Sequence, residues 1–118
     1  MPAHARRLID TFLAGDASAA AGLLSPDACF HSPVRDYFGA DQIESVWHAV
    51  SGVLHNPQAE SIYEHDDETL AFFSGTIKAQ PIAGVVRTLS DESGRVADIT
   101  LMIRPWAALK AGIADIGL

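Results

Sequence analysis

The chain has 118 residues, of which 48% are hydrophobic, and its formal net charge at pH 7 is -7. This length and composition predict one globular domain, residues 1–118, which is large enough to bury a core of its own. The acidic balance and the lack of a basic stripe argue against binding to nucleic acid or to anionic membrane surfaces.

Two short helices are predicted at the start of the chain. Apolar side chains in residues 3–14 recur every three or four positions, which is the spacing of one face of an α-helix. Gly15 can adopt the left-handed conformation that ends a helix. Asp16 is then predicted to cap a second, alanine-rich helix, which stops at residues 25–27.

A strand and a third helix are predicted next. Residues 28–33 form the strand, which ends at a proline without an N–H group, and residues 34–40 form a loop. Asp41, with Glu44 three residues later, resembles a capping box and predicts the helix start, while the Asn-Pro pair at 56–57 predicts its end. The apolar side chains on the inner face of this helix are Ile43, Val46, Trp47, Val50 and Leu54.

Four more strands are predicted, at residues 59–65, 69–79, 82–90 and 95–104. Gly75 is expected to mark a bulge or a bend in the second of these strands. The last strand alternates apolar with mixed residues, so we expect antiparallel neighbours and one face on the core. Pro105 suits the first turn of a final helix. The apolar residues predicted to share one side of that helix are Trp106, Leu109, Ile113 and Ile116.

This order of elements resembles the nuclear transport factor 2-like superfamily, and within it the bacterial SnoaL-like or ketosteroid-isomerase-like proteins. The resemblance lies in four features: the two short helices that meet at Gly15 and Asp16, the strand that ends in the sequence His-Ser-Pro-Val, the helix that carries Trp47, and the four-strand meander that follows. It implies an α+β fold in which a cone-shaped, curved, antiparallel-rich sheet wraps around the N-terminal helices. It also implies an apolar pocket and, in many members, a homodimer through the convex face of the sheet.

The resemblance also indicates where catalytic groups would lie. Ketosteroid isomerases place a general-base aspartate where this chain has Ser32, an oxyanion-hole aspartate near Val86 and a tyrosine near Leu8. None of these replacements can do the same chemistry, so steroid isomerisation by that mechanism is not expected. Epoxide-hydrolase relatives use an Asp-Arg-Asp set around a water, for which Asp98 and either Arg87 or Arg104 supply the residue types. Strand alternation, however, places Asp98 and Arg104 on the convex face, away from the cavity.

Three residues are weak catalytic candidates, each with a structural alternative. His31 has the pKa range of a general base, but alternation places it on the face opposite Ser32, which favours a partly buried structural histidine. Ser32 is expected to point inward, where it either positions a substrate oxygen or bonds to nearby backbone. Tyr63 either donates a proton in the cavity or keeps its hydroxyl in water.

We expect the pocket to hold an apolar small molecule. Two readings stay open: a cofactor-independent isomerase, cyclase, dehydratase or hydrolase, and a noncatalytic binding or dimerisation module. No cofactor is expected and no metal site either, because the consecutive residues 65–68 diverge at a turn. The residues expected to line the pocket are Phe12, Phe30, Ser32, Trp47, Val50, Leu54, Tyr63, Phe72, Val86, Ile99, Leu101 and Ile103.

The sequence also indicates where the protein works. Cys29 is the one cysteine, so an internal disulfide is impossible, which favours the cytoplasm. Asp10 and Asp16 interrupt the apolar stretch that a signal peptide needs, and no run approaches the ~20 apolar residues of a membrane span.

Overall fold

The computed structural model describes residues 3–116 and contains four helices and six strands within that range. The helices are α1 (Ala3–Leu13), α2 (Ala17–Ala21), α3 (Ala40–Ser51) and α4 (Trp106–Ile116). The strands are β1 (Leu24–His31), β2 (Asp36–Phe38), β3 (Leu54–His65), β4 (Glu68–Ile77), β5 (Gln80–Ser90) and β6 (Val96–Arg104).

The strands form one sheet in the order β2-β1-β6-β5-β4-β3. All neighbours are antiparallel except β1 and β6, which run parallel and join the first strand to the last. The sheet is curved and the helices cover one of its faces, so the predicted α+β class is confirmed. Among the described residues, no helix is long and apolar enough to span a membrane.

The two faces of the sheet follow from alternation along β6, as predicted. Ile99 and Leu101 are buried beneath the helices on the concave face. Asp98 and Met102 point to the opposite, convex face, where Met102 is 61% exposed. An antiparallel sheet with one covered face shows this in-and-out pattern because successive side chains point to opposite sides.

The start of the chain folds as predicted. Ala5, Leu8, Ile9 and Phe12 form the buried face of α1. Gly15 follows with φ of 78°, a left-handed conformation that a glycine adopts at no steric cost. The Asp16 carboxylate accepts a hydrogen bond of 3.1 Å from the Ala19 N–H and caps α2. This helix ends at Ala21, earlier than predicted.

The predicted loop at residues 34–40 and the predicted capping box are both wrong. Part of that loop forms β2, which extends the sheet by pairing with β1. Helix α3 begins after Gly39, with φ of 87° and no side-chain cap. Asp41 lies inside the first turn, and the Glu44 carboxylate accepts a 3.0 Å hydrogen bond from the Ser18 hydroxyl instead. Glu44 therefore ties α3 to α2.

Strand β3 starts earlier than predicted, and one of its register shifts lies opposite Gly75, where an irregularity was expected. Leu54 is its first residue rather than part of α3, and the register with β4 shifts twice, between His55 and Gln58 and again between Ala59 and Ser61. Gly75 itself pairs regularly with β5. A Cβ at Gly75 would lie 3.0 Å from the His55 carbonyl oxygen, so glycine permits the close approach of β3.

Aromatic rings fill the space between α1, α3 and the sheet. Trp47 is 1% exposed and its ring packs edge-on against Phe12 and Phe30, with centroids 5.6 Å away in each case. The prediction that the strands wrap around the Trp47 helix is thus confirmed. In α4, Ala108 and Leu109 are buried but Trp106 is 61% exposed, contrary to the predicted shared side. The Ile116 side chain lies outside the described residues.

Candidate functional site

A cavity opens between the concave face of the sheet and the helices α3 and α4. Its volume is about 50 Å³. Side chains from both ends of the chain meet here because the parallel pairing places β1 next to β6. The residues around the cavity are Phe30, Ser32, Pro33, Val34, Val46, Val50, Val53, Leu54, Ile77, Leu101, Ile103, Leu109, Gly112 and Ile113.

One wall of the cavity comes from α4. Leu109, Gly112 and Ile113 lie on the side of this helix that faces the sheet. A Cβ at Gly112 would lie 2.8 Å from the Ile77 Cγ2, so glycine lets the helix approach β4 closely. The pocket prediction missed these residues, although the helical spacing of Leu109 and Ile113 had already placed them on one side.

Ser32 contributes the one side-chain hydroxyl to the cavity lining, and that hydroxyl is already engaged. Its Oγ donates to the Arg35 carbonyl at 2.6 Å. It also accepts hydrogen bonds from the N–H groups of Val34 at 3.2 Å and Arg35 at 3.0 Å. Ser32 therefore stabilises the turn after β1, which is the structural alternative considered for it.

Half of the residues expected in the pocket line it. Phe30, Ser32, Val50, Leu54, Leu101 and Ile103 do so. Phe12, Trp47, Val86 and Ile99 instead pack within the core, beyond the cavity wall.

Tyr63 and Phe72 lie on the convex face and do not reach the cavity. They are 59% and 44% exposed, and their rings contact each other edge-on at 6.2 Å. The neighbouring Phe73 takes the buried position on the concave face, where it is 1% exposed. Phe72 and Phe73 are adjacent apolar residues, so the sequence of β4 does not indicate which of them faces inward. The face of Tyr63 depends on the register shifts in β3.

No acidic, basic, cysteine or tyrosine side chain lines the cavity within residues 3–116. Leu8 and Val86, at the positions where the resemblance placed a tyrosine and an aspartate, are both buried apolar residues. The wall can therefore exclude water and contact apolar atoms, but it presents no proton donor or acceptor with a pKa near neutrality.

His31 lies on the convex face, as alternation predicted, in a group that we call the His31 cluster: Cys29, His31, Asp36 and Asp98. The His31 Nδ1 is 2.9 Å from the Asp36 Oδ1, and its Nε2 is 3.1 Å from the Asp98 Oδ2. The Cys29 Sγ lies 3.5 Å from the same Nε2. Three strands bring the cluster together, because β1 lies between β2 and β6.

The cluster shifts the protonation of two of its members. Hydrogen bonds to Asp36 and then to Asp98 raise the pKa of His31 above its usual range, because both favour the imidazolium form. Burial raises the pKa of the Cys29 thiol, and the Asp98 charge adds to that effect. A raised pKa lowers the fraction of Cys29 that is the nucleophilic thiolate.

Solved structures of other proteins share this architecture. An uncharacterised bacterial protein with a cystatin-like fold from Silicibacter pomeroyi aligns with a TM-score of 0.92 over 99% of this chain and 84% of its own, at 21% identity. A steroid delta-isomerase from Pseudomonas aeruginosa aligns with a TM-score of 0.85 over 98% and 90%, at 24% identity. An NTF2-like protein of unknown function from Cytophaga hutchinsonii aligns at 0.71 over 90% and 91%, at 11% identity.

At this level of identity, structural similarity establishes the fold and leaves the activity open. No protein-family model matches the sequence, and no curated protein matches it. The curved sheet, the helices that cover its concave face and these structural neighbours together show that the chain has the nuclear transport factor 2-like fold, which cystatin-like and ketosteroid-isomerase-like proteins share.

Proposed function

We propose that this protein binds a small, apolar molecule in the cavity between β6, α3 and α4. The observation that carries the proposal is the composition of the wall, which is apolar apart from the Ser32 hydroxyl already held by its turn. Each methylene group that a ligand buries there contributes about 0.8 kcal/mol, and no buried charge has to be matched.

The size of the cavity limits the ligand. A volume of about 50 Å³ is a few times the ~10–15 Å³ that one water molecule requires by the same measure. A compact molecule therefore suits the cavity without rearrangement. A ligand as large as a steroid requires α4 to move outward, because this helix forms one wall.

The wall favours binding without chemistry over catalysis. Isomerisation, cyclisation, dehydration and hydrolysis all need an acid or a base within hydrogen-bond reach of the substrate. The wall offers none within the described residues. The similarity to a steroid delta-isomerase supports the catalytic reading as a second candidate, but it extends to the fold alone.

The test measures thermal unfolding with a series of small apolar molecules of increasing size. A ligand at one hundred times its Kd should stabilise the protein by about 2.7 kcal/mol. The variant Val50→Phe fills the cavity and should abolish the stabilisation. The control Ser45→Phe adds the same side chain on the exposed face of α3 and should preserve it. No shift with any member of the series, or an equal shift in both variants, would contradict the proposal.

We also propose that the protein forms a homodimer through the convex face. Tyr63, Phe72 and Met102 expose large apolar surfaces there, at 59%, 44% and 61%. Sedimentation of the wild type at several concentrations should show a dimer, and Phe72→Glu should shift it to a monomer. Trp106→Glu, at an exposed aromatic residue on α4, is the control and should remain dimeric. A wild type that is monomeric at every concentration would rule the dimer out.

The cytoplasmic location remains a proposal that the single free cysteine supports.

A further inference from the structure

The His31 cluster on the convex face has no part in the cavity, and its atoms are arranged as metal ligands are. Cys29, His31 and Asp98 each offer one ligand atom, and these three atoms lie within 4.8 Å of one another. They come from two strands that are distant in sequence. A thiol, an imidazole and a carboxylate are the three ligand types that zinc sites combine.

Two of the distances between ligand atoms are close to those in a tetrahedral site. With Zn–N of about 2.05 Å and Zn–S of about 2.3 Å, a tetrahedral ion separates its nitrogen and sulfur ligands by about 3.5 Å, and its nitrogen and oxygen ligands by about 3.3 Å. In the structure, the His31 Nε2 lies 3.5 Å from the Cys29 Sγ and 3.1 Å from the Asp98 Oδ2. The Cys29 Sγ also lies 3.9 Å from the His31 Nδ1, so the sulfur sits beside the imidazole ring, and the Cys29 side chain or the ring has to rotate before both bind one ion.

Asp36 supplies the outer contact that such sites use. The His31 Nδ1 lies 2.9 Å from the Asp36 Oδ1 and can keep its proton there, so a cation that displaces the Nε2 proton can take the Nε2 lone pair. Metal-binding histidines donate their other N–H to a carboxylate in this way, which fixes the ring and increases its basicity. The His31 side chain is 37% exposed in the single chain, so a hydrated ion can reach it in the monomer.

We infer that Cys29, His31 and Asp98 bind a borderline-soft divalent cation, zinc in particular, with Asp36 as the positioning residue for His31. The thiolate and imidazole select against Mg²⁺ and Ca²⁺, which prefer oxygen ligands. Three protein ligands leave one coordination position for water, the arrangement of open rather than structural zinc sites. The sequence contained no sign of this site, and no metal was expected, because its residues come together only when β1 and β6 pair in the folded sheet.

The test uses the full chain, stripped of metal with a chelator and titrated with Co²⁺. A thiolate bound to Co²⁺ gives a near-ultraviolet charge-transfer band, and here the band can be assigned without ambiguity because Cys29 is the one cysteine. We expect a saturable band that Zn²⁺ removes by competition and that excess Mg²⁺ leaves in place. A titration without a saturable band would overturn the inference.

Variants separate the roles of the residues. Cys29→Ser should abolish the band, and Asp36→Asn should keep it while weakening affinity by about 10–100-fold. His65→Gln is the matched control, since His65 and Asp66 form another histidine–aspartate contact, at 3.3 Å, that lies at an exposed turn. The control should bind like the wild type. Equal loss of affinity in the control and in Asp36→Asn would refute the assignment.

A measurement on the wild type covers the case of a variant that does not fold. Zn²⁺ should slow the alkylation of Cys29 by a thiol reagent, because the sulfur becomes a metal ligand, whereas Mg²⁺ should have no effect. An alkylation rate that Zn²⁺ leaves unchanged would also overturn the inference. Neither experiment involves the cavity, so the result is independent of the proposed ligand.

Discussion

Replacing Gly84 with alanine should destabilise the sheet, because this glycine lies under an aromatic ring. Gly84 in β5 pairs with Phe73 in β4 and with Ile103 in β6. An added Cβ would lie 2.5 Å from the Phe73 Cζ and 2.8 Å from the Met102 carbonyl oxygen. The ring can rotate only into the packed core, and the carbonyl belongs to the backbone of the adjacent strand.

The expected cost is that of overpacking a core, about 1–3 kcal/mol. For a domain of this length, each kcal/mol lowers Tm by roughly 4 °C, so Gly84→Ala should lower Tm by about 4–12 °C. Thermal unfolding followed by circular dichroism measures this change. Protein concentration must be equal in all samples, because association changes Tm.

The same substitution at Gly22 is the control and should have the opposite sign. Gly22 ends α2 with φ of -65°, which alanine adopts freely, and the nearest atom to an added Cβ is the Ala19 carbonyl oxygen at 3.5 Å. Restricting the unfolded chain should stabilise the protein by about 0.4–1 kcal/mol. The double variant Phe73→Leu with Gly84→Ala should lose less stability than the sum of the single changes. An unchanged Tm in Gly84→Ala would refute the argument.

Three further predictions concern charged groups. A hydrogen bond from the Ser93 hydroxyl lowers the pKa of Asp91, so the folded state favours the carboxylate. The Asp91 carboxylate therefore contributes fully to the free energy of unfolding at pH values above its pKa in the unfolded chain, about 3.9, and this contribution is lost as the pH falls through its pKa in the folded protein. The difference in stability between the wild type and Asp91→Asn, measured by urea unfolding, should therefore decrease in acid. Asp16→Ala should remove the α2 cap and cost about 0.5–2 kcal/mol in the same assay, and a change near zero would contradict the capping role. Arg6→Ala breaks the exposed pair with Glu64 and should change stability by less than about 1 kcal/mol at low salt.

The sequence predicted the features that depend on local patterns. The apolar spacing in α1, the left-handed Gly15 and the Asp16 cap all follow from neighbouring residues, and each is present in the structure. The alternation around Ile99 correctly separated the two faces of β6. These patterns arise from helix and strand geometry, so they need no knowledge of distant parts of the chain.

The features that escaped prediction depend on contacts between distant residues. Tyr63 was assigned to the wrong face because it follows two register shifts in β3 that depend on pairing with β4. Phe72 was assigned to the wrong face because the adjacent Phe73 fits the inward position equally well. Strand β2 is only three residues long and exists because β1 offers it a partner. The His31 cluster unites Cys29 with Asp98 through the parallel pairing of β1 and β6.

The parallel pairing of β1 with β6 also determines when the sheet can finish folding during synthesis. Phe30 lies beside Ile99, so the central part of the sheet cannot close until most of the polypeptide has left the ribosome. Contacts between such distant segments slow folding, because a long loop must be ordered first. Until β6 emerges, the nascent hairpin of β1 and β2 has an unpaired edge. Until that edge is paired, it is the part of the sheet most exposed to aggregation.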